Sequence, residues 1–144
     1  MNEILITLYV IIIFIALAFA EGYQEGRYGW AARSYGWRMK FFKRILTAYH
    51  FWMWVILIPL AIMLPLFIYD FNIKIFGALW VGYFLGSVVN DFAWYIVNPK
   101  VTLKDFNPKF ANWYNWWAIF GFKIPDFYIF YPIIALVLWL LLVR

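Results

Sequence analysis

Between Lys74 and Lys100 lie twenty-five residues with one formal charge among them, Asp91, and this stretch constrains the chain more than any other. A helix of that length is ~37 Å long at about 1.5 Å per residue, which exceeds the ~30 Å hydrocarbon core of a bilayer. Only a helix or a closed barrel satisfies its backbone in hydrocarbon, and the apolar runs of this chain lack the alternation of strands. The segment 73–98 therefore reads as a tilted membrane-spanning helix. Pro99 stops it, because its ring clashes with a preceding turn and removes a donor.

Three more apolar runs repeat the pattern, over about 4–20, 47–69 and 126–143. With 67 % of residues hydrophobic and only 13 % charged, an ordinary soluble domain is excluded. The expected fold class is an all-α integral membrane protein, a single membrane domain of four transmembrane helices joined by segments 21–46 and 99–125. The first run is expected to be retained. Ala18-Phe19-Ala20 resembles a cleavage site, yet no Lys or Arg precedes the run and six follow it before the next one, the reverse of a secretory signal. Pro59 and Pro65 fall inside the second span and predict a kink, with freed carbonyls bonded by neighbours or by local 3₁₀ adjustment.

The two long connections are basic and aromatic. The first repeats Tyr-Gly-Trp at 28–30 and 35–37, which places Trp30 and Trp37 on one face of a helix. In the second, Asn107-Pro108 is a helix start, and Trp113, Trp116, Trp117 and Phe120 follow at helical spacing before Gly121. Both connections are thus expected to carry interfacial amphipathic helices, with aromatics at headgroup level and Arg33, Arg38, Lys40, Lys43 and Arg44 facing anionic lipid phosphates. They hold ten of the twelve Lys and Arg residues. The positive-inside rule then puts them in the cytoplasm and both termini outside.

Asp91 is the candidate centre. A carboxylate at membrane depth costs about 2.5–3.5 kcal/mol on insertion scales, so it belongs against protein or a wet cavity. Glu21 ends the first span, and Tyr49 and His50 begin the second, on the side that Asn90, Asp91 and Asn98 approach from the third. These six are expected to form one polar intramembrane cluster. Gly82 and Gly86 form a GxxxG, continued at Asn90, that lets another helix approach closely. Arg33 or Arg38 could also reach Asp91 and make the cluster purely structural.

A single histidine and no cysteine exclude histidine-rich membrane metal centres, thiolate sites and cysteine nucleophiles, and the sequence implies no metal and no cofactor. The basic charge sits beside the spans, which points to lipid headgroups rather than nucleic acid. Three functions are open. The first is an accessory or assembly subunit of a larger membrane complex without catalysis of its own, partnered by other subunits or by copies of itself. The second is a small carrier or ion/proton pathway using Asp91. The third is a lipid-modifying enzyme at the cytoplasmic headgroup level, with His50 or Asp91 as base and Arg33 or Arg38 on phosphate.

Overall fold

A computed structural model of the chain describes residues 2–30, 32–41 and 44–144. It is mostly helical. Helix α1 spans Glu3–Glu25; Asn2 caps it, its Oδ1 accepting from the backbone N–H groups of Ile4 and Leu5 at 3.0 and 3.4 Å. Helix α2 spans Ala48–Ile68 behind the cap Thr47, and α3 spans Ile73–Val97 behind the cap Asn72. All three are long and apolar enough to cross a membrane. Helix α4, Phe127–Val143, is apolar but shorter, and begins at the cap Asp126.

Helices α1 and α3 run parallel and in close contact. Thr7 Oγ1 donates to the Ala78 carbonyl at 3.1 Å near one end, and Asn98 Nδ2 donates to the Gly26 carbonyl at 2.6 Å at the other. Between them Gly82 faces Val10 and Gly86 faces Phe14. A Cβ on Gly86 would come within 2.5 Å of the Phe14 ring, and one on Gly82 within 2.7 Å of Val10 Cβ. Helix α2 returns antiparallel, adding Ile58 and Ile62 to a core of Val10, Phe14 and Leu79. Helix α4 is antiparallel to α3: Leu142 and Val143 lie against Gly77, while Tyr131 packs edge-on to Phe84 at 5.2 Å. Both chain ends and the 70–72 turn therefore gather at one end of the bundle, and the long connections at the other.

Of the two expected ways to serve the carbonyls freed by the prolines, a neighbouring donor is found at Trp54 and no 3₁₀ adjustment is: Phe51–Leu57 is a π-helical segment inside α2. The Ile58 N–H bonds back five residues, to Met53 O. Continued one residue, that pattern assigns the Trp54 carbonyl to residue 59, but Pro59 has no N–H to give. Tyr83 of α3 supplies the missing donor, its hydroxyl lying 2.7 Å from Trp54 O.

The interfacial helices expected in the two connections are absent among the described residues, and β-hairpins stand in their place. Strands β1 (Arg38–Phe41) and β2 (Arg44–Thr47) pair antiparallel, as do β3 (Trp116–Ile119) and β4 (Phe122–Pro125). At the tip of the second hairpin Phe120 and Gly121 both have positive φ, +47° and +83°. This is the two-residue turn geometry whose twist suits a hairpin and which ends any helix. Asn107 does cap, its Oδ1 accepting from the N–H groups of Lys109 and Phe110, but only one turn follows. Trp116 Nε1 takes the Ala111 carbonyl at 2.8 Å, which a continuing helix would need for its own ladder. Trp113, Trp116, Trp117 and Phe120 consequently share no helical face. Trp113 and Trp116 pack with Trp30 on a second core of Trp94, Tyr95, Val101, Ala111 and Tyr114, whereas Trp37 and Trp117 are exposed.

Candidate functional site

Where α1, α2 and α3 meet the end bearing the hairpins, two acidic side chains are held by neutral donors. Glu21 is buried on α1. Its Oε1 accepts from the Tyr49 hydroxyl at 2.8 Å and from Trp54 Nε1 at 3.2 Å, both on α2, and its Oε2 accepts from Asn90 Nδ2 on α3 at 3.1 Å. Asn90 Nδ2 also reaches the Phe14 carbonyl at 3.1 Å, which locks the amide between α1 and α3. Asp91, the next residue on α3, accepts from the Tyr114 hydroxyl on Oδ1 and from the Tyr128 hydroxyl on Oδ2, the latter at 2.6 Å. Five neutral donors thus serve two carboxyl groups, and no Lys or Arg ion pair with either occurs among the described residues. That is how acidic oxygens are satisfied where water is scarce and no cation is at hand.

His50 sits beside them. Thr47 Oγ1 lies 2.8 Å from its Nδ1, and Trp30 stacks on its ring with centroids 4.0 Å apart. Trp30 is pinned in turn by a 2.7 Å hydrogen bond from its Nε1 to the Ile45 carbonyl on β2. The first hairpin therefore positions the ring that covers His50. Tyr114 lies outside the helices, and its burial, with Asp91 next to it, pushes its phenol well above the usual tyrosine range.

Glu21, His50, Asn90 and Asp91 all line one cavity of about 240 Å³. Tyr114 and Tyr131 complete part of its wall, and Trp30, Trp54, Trp94 and Trp113 give it four indoles. No Lys or Arg lines it among the described residues. Of the six residues expected to cluster, these four share the cavity. Tyr49 touches it indirectly through Glu21, and Asn98 lies apart, tying α3 to the end of α1. The cations sit elsewhere. Arg33 lies over the Tyr28 ring at 3.4 Å, Arg38 Nη2 donates to the Ala32 and Ser34 carbonyls, and Lys40 is exposed on β1. Arg44 begins β2, and Lys43 falls outside the described residues.

Sequence reasoning missed Tyr114, Tyr128 and Trp54 as partners of the carboxyl groups. Tyr128 had a legible signal, a phenol one residue into an apolar helix that starts near the level of Asp91, within the last two turns of α3. Tyr114 had none, because its approach depends on the turn that replaces the expected interfacial helix.

Among the described residues no three His, Cys, Asp or Glu side chains converge as metal ligands do. No protein-family model, curated protein or solved structure matches the chain.

Proposed function

We propose that this chain is a small multi-pass membrane protein of four spans that admits a small solute or ion to the cavity between its helices, as a carrier or pathway. The observation that supports this reading most is that Glu21, Glu25 and Asp91 line one aromatic cavity with no Lys or Arg in its wall among the described residues. A network serving only to fix the bundle needs no such space, and acids inside membrane segments commonly mark solute or proton routes. In this proposal the basic connections face the cytoplasm and both termini face outward, following the distribution of Lys and Arg.

The test is flux into proteoliposomes with protons, potassium and methylammonium as probes. Wild-type protein moves at least one of them faster than empty liposomes, and Asp91→Asn lowers that rate about tenfold or more. Equal flux from both proteins, or none from either, removes the reading.

Assembly with other membrane subunits is the second reading. It is favoured by the exposed aromatics Phe120 and Phe122 at the tip of the second hairpin, 96 % and 72 % accessible. Extraction in mild detergent then retains a stoichiometric partner chain, and a clean monomer opposes it.

A further inference from the structure

We infer that the occupant of the cavity is a small organic ammonium ion, rather than a proton, a bare metal ion or an anion. The inference rests on the carrier reading and gives its substrate class.

Size comes first. One water needs about 10–15 Å³ of such space, so a cavity of about 240 Å³ accommodates a small molecule rather than a single ion. Charge comes second. Glu21, Glu25 and Asp91 lie on the wall with no Lys or Arg lining it among the described residues, so an anion would meet repulsion and a cation would not. Glu21 and Asp91 already have their donors, from Tyr49, Trp54 and Asn90 and from Tyr114 and Tyr128 respectively. A ligand need not strip these bonds to profit from the field. Metal chemistry is a poor match, since no cluster of metal-binding side chains forms among the described residues.

The wall supplies the third argument. Trp30, Trp54, Trp94 and Trp113 surround the space, and aromatic cages with an acid nearby are a standard recognition device for alkylated ammonium groups. Such a cation is weakly hydrated and loses little on entering, whereas potassium or sodium would need oxygen ligands in place of its water.

The experiment uses the full chain in lipid nanodiscs with choline as probe. Its controls are 3,3-dimethylbutan-1-ol, which has the same shape and hydroxyl but no charge, and potassium chloride. Binding is read by calorimetry and by the change in tryptophan emission. Choline is expected to bind saturably and about tenfold or more tighter than the neutral isostere, with potassium not competing. Glu21→Gln and Asp91→Asn each weaken choline about tenfold and leave the isostere unchanged. The comparison of choline with its isostere needs no variant, so a variant that misfolds does not shelter the idea. Choline and isostere binding alike, or neither binding, overturns the inference, and flux of any probe still sustains the carrier reading. Choline binding without any flux supports the inference and removes transport.

Discussion

The hydroxyl of Tyr83 does what the backbone of α2 cannot do for itself, and a double-mutant cycle can isolate that contribution. Pro59 leaves the Trp54 carbonyl without its helical donor, and Tyr83 Oη lies 2.7 Å away on α3. Tyr83→Phe removes one oxygen and keeps the ring, which packs edge-on to Phe14 and Trp80. Interhelical hydrogen bonds in membrane proteins contribute ~0.6 kcal/mol on average and ~1.7 at most. An acceptor left buried without a partner costs about 1–3 kcal/mol. Because the Trp54 carbonyl would have no alternative donor, the upper part of the first range applies, about 1.5 kcal/mol, or roughly a tenfold change in the folding equilibrium. Pro59→Ala restores a backbone N–H at the right residue, so in that background Tyr83→Phe is expected to cost about 0.5 kcal/mol or less. Unfolding by sodium dodecyl sulfate in mixed micelles, followed by circular dichroism, measures all four corners. If Tyr83→Phe costs the same with Pro59 and with Ala at that position, the assigned role of the hydroxyl is wrong.

Further expectations concern packing, ionisation and orientation. Gly86→Ala pushes a methyl group to 2.5 Å from the ring of fully buried Phe14 and should cost about 1–2 kcal/mol, overpacking outweighing the gain in helix propensity. Phe14→Leu recovers part of that loss, and a neutral Gly86→Ala in the same micelle titration contradicts the close approach of α1 and α3. The raised phenol of Tyr114 keeps its proton in the folded state beyond the unfolded value of about 10. Its share of stability is therefore intact below pH ~10 and falls as pH rises further, by at most ~1.4 kcal/mol per pH unit. Tyr114→Phe makes alkaline unfolding shallower, and an unchanged slope refutes the assignment. Because the chain has no cysteine, single replacements Lys104→Cys and Arg144→Cys report topology directly. An impermeant thiol reagent added to intact cells is expected to label position 144 and not 104; the reverse pattern inverts the proposed orientation.

Much of the helical frame was legible because hydrocarbon imposes a length and a composition on whatever crosses it. The expected spans 47–69, 73–98 and 126–143 differ from α2, α3 and α4 by a residue or so at each end. The first helix runs further than expected, to Glu25 rather than residue 20, because a charge at Glu21 reads as an exit from the membrane while three neutral donors make it tolerable inside the bundle. The connections are less legible for a different reason. Trp113, Trp116, Trp117 and Phe120 have helical spacing, but Trp116 and Trp117 pair with Pro125 and Ile124, and Phe120 turns the chain. A period of three or four residues in so aromatic a segment carries little information about the backbone. The convergence of Glu21, His50, Asn90 and Asp91 could be anticipated from depth along the spans alone. The phenols that hold Asp91 come from 23 and 37 residues away, and the turn that delivers Tyr114 leaves no local signature.

In the carrier proposal, Glu21 and Asp91 make one cavity solvent-reachable and cation-preferring. Ser87, on that cavity wall and only 5 % exposed, is the place to test it, with Leu60, an exposed residue of α2, as the reference for a side chain facing lipid. The measurement is the rate at which Ser87→Cys and Leu60→Cys react with methanethiosulfonates bearing a trimethylammonium or a sulfonate group. Ser87→Cys should react about tenfold or more faster with the cationic reagent than with the anionic one, and choline should protect it, while Leu60→Cys reacts with neither. A Ser87→Cys that stays unlabelled, or that prefers the sulfonate, rules out a cation-preferring cavity.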